Sequence, residues 1–153
     1  VLTGEMAAID FAESLAKQAG AKKYIRLNVS AAFHSPLVEK AKQPMADALD
    51  MAKISTLQIP VLSNVTAEKY ANDAVKELLL QQITSRVRWV ETINNMLESG
   101  VTNFVEIGPG KVLSGLVKRI VKKSKKIAKQ TDANNINITN IETITDLEKF
   151  LSS

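Results

Sequence analysis

Residues 103–121 of the chain read NFVEIGPGKVLSGLVKRIV. The first five, Asn103–Ile107, predict a buried strand, and the Gly-Pro-Gly at 108–110 is typical of a tight strand-to-helix corner. From Lys111 to about Lys126, apolar residues recur at helical spacing and predict a long amphipathic helix. A strand that leads directly into a helix favours an α/β fold.

The rest of the chain alternates between strand and helix patterns in the same way. Further strands are predicted at residues 1–3, 24–29, 59–62 and 136–141. Further helices are predicted at residues 5–19, 36–52, 72–82, 90–98 and 146–151. The first two strands and the helix between them would form a β-α-β unit. No internal repeat or linker interrupts this order.

The composition is that of an ordinary globular protein, with 45% hydrophobic and 24% charged residues among 153. That length suffices for one domain or for part of a larger one, and the opening Val1-Leu2-Thr3-Gly4 is typical of the middle of a domain. The chain has no run of about 18 apolar residues and no signal segment, so we expect a cytoplasmic protein without a membrane span. Because cysteine is absent, disulfides, thiolate catalysis and cysteine-bound metals are excluded.

The only histidine, His34, lies in the segment SAAFHSPL at residues 30–37, after a predicted strand. Imidazole changes charge near neutrality, and open α/β sheets gather functional groups at strand ends, so His34 is a candidate general base. The flanking Phe33 and Leu37 would place its ring in a partly dry pocket. No Gly-x-Ser-x-Gly elbow exists in the chain, which leaves a base without a nucleophile. A structural role for this histidine stays open, and no metal site is predicted.

Positive charge is concentrated in the predicted helix that follows the corner. The net charge is +4, and the excess lies at Lys118, Arg119, Lys122, Lys123, Lys125, Lys126 and Lys129. Two interpretations remain open, a solvated helix end whose cations suit the helix dipole and a surface for an acidic partner. Nucleic acid is not expected as a partner, because no aromatic side chains interleave with these cations.

Five ordered segments carry a resemblance to a known family, at residues 30–37, 59–65, 82–89, 105–113 and 115–120. Over about residues 1–125 the chain resembles the C-terminal half of malonyl-CoA:acyl carrier protein transacylases. The resemblance implies malonyl transfer from malonyl-CoA through a serine ester to the phosphopantetheine thiol of acyl carrier protein, in fatty acid biosynthesis, without a bound cofactor. It also implies that residues 1–29 close a ferredoxin-like subdomain. Residues 30–153 would belong to a large hydrolase-like α/β domain.

The same resemblance assigns roles around the histidine. His34 would be the catalytic base and acid, and the backbone carbonyl of Gln82 would orient its ring. Phe33 would favour malonyl over α-methylated units, because a phenyl ring there denies space to an extra methyl group. Ala31 departs from the histidine that usually begins this motif in the family.

Away from the histidine, Lys118 and Arg119 match positions that dock the acidic carrier protein in the family. Arg86, Arg88 and Trp89 could be mistaken for a carboxylate-binding site. The family's malonate-binding arginine lies near the serine, however. We therefore expect Trp89 in the core and both arginines on the surface.

The resemblance places the nucleophilic serine, the oxyanion donors and the malonate-binding arginine outside these residues. We therefore expect the chain to be inactive alone, to expose one side of a split sheet and to pair with the missing N-terminal half. The alternative is a non-catalytic module that binds an acidic protein through the basic helix 118–129. A third possibility is an unrelated enzyme that pairs His34 with a carboxylate such as Glu106. Binding of a CoA phosphate at the 108–110 corner is a lesser possibility.

Overall fold

The computed structural model describes residues 1–124 and 135–152, which form two compact units that divide after Arg88. The first unit contains helices α1 (Met6–Gln18), α2 (Lys42–Met51) and α3 (Val75–Gln82). Two short 3-10 helices, Pro36–Ala41 and Asn72–Ala74, precede α2 and α3. The second unit contains α4 (Trp89–Glu98), β1 (Asn103–Ile107), α5 (Val112–Lys123), β2 (Asn137–Ile141) and α6 (Ile144–Leu151).

The second unit has a two-stranded parallel sheet, in which Asn103 pairs with Asn137 and Ile107 with Ile141. Helices α4 and α5 pack together over it, and the buried core consists of Ile93, Leu97, Phe104 and Val117. Parallel strands joined through a helix are the elementary α/β unit. The α/β prediction is therefore confirmed.

The predicted burial of β1 is only partly correct. Phe104 is 8% exposed, whereas Val105 and Ile107, whose backbone takes part in the same ladder, are 41% and 78% exposed. Side chains alternate across a strand, so burial of one position on one face does not protect its neighbours. The strand contributes one anchor, Phe104, to the core.

The helices of this unit begin where their local chemistry predicts. The corner before α5 uses Gly108 and Gly110, whose φ angles of 137° and 84° lie in the region that favours glycine. Helix α6 begins at Ile144, two residues earlier than predicted, because Thr143 and Asp146 form a reciprocal capping box. Helix α5 ends at Lys123 in the described residues, and the predicted extension to Lys126 falls outside them.

The strands predicted at 1–3 and 24–29 do not form. A strand needs a partner for its backbone groups, and no described residue pairs with either segment. Ile25, Leu27 and Val29 are each more than 60% exposed, so their alternation buries no face. The segment is attached to α1 instead, where the Tyr24 hydroxyl donates to the Ile9 carbonyl at 3.1 Å.

The strand predicted at 59–62 is also wrong, because it is reduced to an isolated bridge between Leu62 and Lys69. Arg88, expected on the surface, is instead half-buried. Its Nη1 donates to the Thr66 carbonyl at 3.1 Å and its backbone N–H to the Asn64 carbonyl at 2.9 Å. These two hydrogen bonds attach Arg88 to the loop at residues 63–68.

Trp89 packs partly buried against the core of the second unit, in agreement with the prediction. Arg86 is exposed, as expected. No helix among residues 1–124 and 135–152 combines the length and the apolar character needed to cross a membrane.

Candidate active site

The loop that carries His34 is held in an uncommon backbone conformation. His34 has a φ of 60°, a left-handed value that is uncommon for residues other than glycine, although asparagine, aspartate and histidine adopt it more often than the rest. The next residue, Ser35, is buried, and its Oγ donates to the Ala32 carbonyl at 2.6 Å. The same Oγ accepts from the Leu37 N–H at 3.3 Å and so caps the 3-10 helix that begins at Pro36. Strained residues of this kind cluster at functional sites.

This loop brings the imidazole of His34 to the end of α3. Nδ1 lies 3.0 Å from the backbone carbonyl oxygen of Gln82, a residue 48 positions away. Gln82 is the last residue of α3, so its carbonyl has no hydrogen-bond partner inside the helix. A carbonyl only accepts, so Nδ1 carries the proton and Nε2 keeps its lone pair. The geometry therefore leaves Nε2 able to take a proton from a hydroxyl group.

The partly dry pocket predicted around the imidazole is not formed by its neighbours. Phe33 and Leu37 are 51% and 52% exposed, and His34 itself is exposed. Phe33 lies next to His34 in the chain, but the described residues bury only about half of its ring. Burial of the imidazole would have to come from a group that packs against this face.

The corner between β1 and α5 is held by two carboxylates. Glu106 accepts from the backbone N–H groups of Leu113 at 3.0 Å and of Ser114 at 2.8 Å. Glu142 accepts from the Gly110 N–H at 3.0 Å. These amides are the donors that a phosphate at the start of α5 would need. These three N–H groups are engaged by carboxylates rather than open to a phosphate, and Glu106 is accounted for as a helix cap.

The sequence analysis missed two residues that hold the corner, Asn140 in β2 and Glu142 directly after it. Asn140 Nδ2 donates to the Gly110 carbonyl at 2.7 Å, opposite the bond from Glu142. The sequence signal that could have identified them is a pair of polar residues at the carboxyl end of β2, the strand that runs parallel to β1. Their function is structural, because both side chains bond backbone groups of the corner.

The cap of α5 depends on pH through Glu106. The Ser114 hydroxyl, the Ser114 N–H and the Leu113 N–H together hold the pKa of Glu106 below its usual value. The hydroxyl makes no aligned hydrogen bond among the described residues, so the two backbone bonds are the firmer contacts. A lowered pKa means that the cap stabilises the fold above the usual carboxyl pKa of about 4.3 and is lost as pH falls through the folded value.

We expect Glu106→Gln to lower the thermal midpoint of the chain by a few degrees at pH 7, since the charged acceptor at the helix N-terminus is lost. The difference from wild type should shrink as pH falls below about 4. Thermal unfolding followed by circular dichroism across this range measures both. Glu148→Gln, on the exposed face of α6, is the matched control. A deficit that stays constant down to pH 3 would contradict the charge-based explanation.

The exposed face of α5 carries the predicted docking cations. Lys118 and Arg119 are exposed, and the Arg119 Nε donates to the Gly115 carbonyl at 3.3 Å. Within the described residues no carboxylate lies at ion-pair distance from Lys118, Arg119, Lys122 or Lys123. Lys118 and Lys122 border an open groove whose floor includes Val121 and Ile138. The remaining cations of the predicted basic stretch, Lys125, Lys126 and Lys129, lie outside the described residues.

Comparison with known proteins identifies relatives of this chain. The malonyl CoA-acyl carrier protein transacylase of Bacillus subtilis (strain 168) is 45% identical over 129 residues, which cover 84% of this chain and 41% of the relative. The chain is homologous to malonyl CoA-acyl carrier protein transacylases. The predicted resemblance is confirmed at this level, and the chain spans less than half the length of the relative it matches. No protein-family model matches the chain.

Solved transacylase structures share the fold. The enzyme from Streptococcus pneumoniae superposes with a TM-score of 0.82 at 38% identity, over 97% of this chain and 45% of the other. A malonyl-transacylase solved in complex with a type II polyketide acyl-carrier protein superposes with a TM-score of 0.83 at 32% identity, again over 97% of this chain and 45% of that one. The α/β fold of the chain therefore matches the fold of just under half of each of these solved transacylases.

Proposed function

We propose that this chain is the C-terminal, histidine-bearing part of a malonyl-CoA:acyl carrier protein transacylase and that His34 is its catalytic base. One observation carries the proposal. The Nδ1 of His34 donates to the Gln82 carbonyl at 3.0 Å, which leaves Nε2 free, in a chain 45% identical to a transacylase. The reaction serves fatty acid biosynthesis in the cytoplasm.

The first half-reaction loads the enzyme. A serine of the remaining, N-terminal part of the protein gives its proton to His34 Nε2 while its Oγ attacks the malonyl carbonyl of malonyl-CoA. The carbon–sulfur bond breaks, and the imidazolium returns the proton to the CoA thiolate that leaves. The Gln82 carbonyl keeps the Nδ1 proton in place throughout and stabilises the imidazolium by a charge-assisted hydrogen bond.

The second half-reaction transfers the malonyl group from the serine to acyl carrier protein. The phosphopantetheine thiol of acyl carrier protein gives its proton to His34 Nε2 and attacks the malonyl-serine ester. The ester oxygen leaves as the serine hydroxyl after it takes that proton back, so no net charge or proton remains on the enzyme. No step requires a metal or a further cofactor.

Phe33 is the candidate for substrate selection. It immediately precedes His34 in the chain, is 51% exposed, and matches the position that the family resemblance assigns to malonyl selection. A ring at this position restricts the space beside the malonyl α-carbon, and one methyl group changes binding by about 1–3 kcal/mol. We therefore assign Phe33 a preference for malonyl over α-methylated groups.

The domain assignment is part of the same proposal. Residues 1–29 would close a ferredoxin-like subdomain, and residues 30–153 would belong to the hydrolase-like large domain. The exposed Ile25, Leu27 and Val29 support it, because their alternation is that of a strand whose partner is supplied from elsewhere. The N-terminal part of the transacylase would supply it.

A chimera tests the function. The stretch of the Bacillus subtilis transacylase that matches this chain is replaced by the aligned residues of this chain, so that the relative supplies the serine. We expect the chimera to form a malonyl-serine ester with malonyl-CoA and to pass the group to acyl carrier protein, both followed by intact mass spectrometry. The unmodified relative is the reference. A folded chimera that forms no ester would contradict the proposal.

The acidic-partner function is retained as a second candidate because the cations on α5 lack acidic partners in the described residues. In the transacylase these cations would receive the carrier protein, whereas in a binding module they would be the whole function. The two candidates differ in their dependence on His34, which only the transacylase requires.

We expect Lys118→Glu/Arg119→Glu in the chimera to raise the KM for acyl carrier protein at least about tenfold, because charge reversal opposes an acidic partner. Ester formation from malonyl-CoA should be unchanged, and the salt dependence of the second half-reaction should weaken. Steady-state kinetics at several salt concentrations measure these effects. The double variant Lys23→Glu/Lys53→Glu makes the same change in net charge elsewhere. An equal effect from both pairs would mean that only net charge matters and would contradict docking on α5.

A further inference from the structure

The side chain of Gln82 makes a second contact with the same imidazole nitrogen that its backbone carbonyl bonds. The Gln82 Nε2 atom lies 3.3 Å from His34 Nδ1, whereas the carbonyl oxygen lies at 3.0 Å. The other end of the amide, Oε1, is buried and has no hydrogen-bond partner among the described residues.

These contacts conflict if the amide stays in this orientation. The shorter bond, to the carbonyl, requires a proton on Nδ1, so the amide nitrogen would face another N–H donor. A 180° rotation of the terminal amide exchanges Oε1 and Nε2, which occupy nearly the same volume. The rotation replaces a donor–donor contact by a hydrogen bond at the same position, and it places the amide nitrogen where the buried Oε1 lay.

We propose that Gln82 positions His34 with two acceptors, its backbone carbonyl and its side-chain Oε1, which share the single Nδ1 proton. This inference rests on the proposed function of His34 and extends it. A second neutral acceptor favours the Nδ1–H tautomer and fixes the plane of the ring, as a carboxylate does in a triad. Gln82 is thus a positioning residue, since it acts only through His34.

The location of the proton can be measured directly in the 153-residue chain. Because the chain has one histidine, the imidazole 15N spectrum contains a single pair of ring signals, whose shifts and couplings report which nitrogen is protonated. The two-acceptor arrangement predicts that the neutral ring of the wild-type chain carries its proton mainly on Nδ1. A wild-type ring protonated mainly on Nε2 would overturn the proposal without any variant.

Gln82→Met isolates the side chain, because the backbone carbonyl remains while the amide acceptor is removed at similar volume. One lost hydrogen bond should lower the ratio of Nδ1–H to Nε2–H tautomer about 2–10-fold. Gln82→Glu keeps an acceptor at this position and should retain the wild-type preference. Gln81→Met is the matched control, since the Gln81 amide bonds Glu77 at 2.9 Å and not the imidazole. An unchanged or increased ratio in Gln82→Met would overturn the proposal.

The spectroscopic result does not depend on the serine, malonyl-CoA or the carrier protein, so it stands apart from the test of the proposed function. In the chimera, Gln82→Met should lower the rate of serine ester formation in proportion to the measured loss of the Nδ1–H tautomer fraction, which is a smaller factor than the change in ratio, and should leave the KM for malonyl-CoA unchanged. An inactive chimera with the predicted tautomer ratio would refute the transacylase function alone. An active chimera whose ratio is insensitive to Gln82→Met would refute the second acceptor alone.

Discussion

Replacing His34 by Asn should reduce malonyl transfer by the chimera about 10²–10⁴-fold, the usual contribution of a positioned general base. The effect is large because both half-reactions pass their proton through His34 Nε2. The measurement is the rate of serine ester formation in a single turnover, followed by the rate of transfer to acyl carrier protein. Both rates should fall, because the same nitrogen serves both steps.

Asparagine is the informative substitution at this position. The φ of 60° at His34 is unfavourable for alanine, whereas asparagine adopts it readily, so His34→Asn preserves the loop and removes only the base. Thermal unfolding of the variant should match the unsubstituted chimera. Transfer that persists within tenfold of the unsubstituted rate would contradict a catalytic role and would favour the acidic-partner function of α5.

Phe104→Ala should lower the free energy of unfolding of the chain by about 3–5 kcal/mol. Phe104 is 8% exposed and is the only residue of β1 in the core that also contains Ile93, Leu97 and Val117. Truncation removes the buried apolar area of the ring and leaves a cavity between the strand and the side chains of α4 and α5. Urea denaturation followed by fluorescence or circular dichroism gives the difference.

Val105→Ala is the control from the same strand. Val105 is 41% exposed, so its truncation should cost less than about 1 kcal/mol. Since a domain is stable by only about 5–15 kcal/mol, the Phe104 variant should lose a large fraction of its stability and the Val105 variant little. Equal losses at the two positions would mean that β1 is buried on both faces.

The second unit could be predicted from the sequence because its signals are local. The strand at 103–107 and its glycine-rich corner were predicted at their observed positions, and α5 follows directly. The segment 24–29 has an equally regular alternation but forms no strand. Alternation reports which face a strand would bury, whereas the ladder depends on a partner whose position no local pattern contains.

The residues of the candidate site could likewise be predicted only in part. His34 could be selected from its loop position and its chemistry, since both are properties of side chains. The acceptor at Gln82 is a backbone atom, which any residue carries, so only the resemblance pointed to it. The hydrogen bonds from Arg88 to the backbone carbonyls of Thr66 and Asn64 were missed for a related reason. Because every residue carries a carbonyl, no particular residue type in the sequence marks the partner of Arg88.

The parallel register of β1 and β2 has a consequence for the order of folding. Asn103 and Asn137 are paired neighbours in space, but the whole of α5 lies between them in sequence. Pairing them closes a long loop that contains this helix, and the entropy of that closure falls if the helix is already formed, so we expect α5 to form before the ladder. We therefore expect substitutions in α5 and in its contacts with α4 to slow folding more than substitutions within the ladder. The sheet around which the unit is organised is then the last element that we expect to assemble.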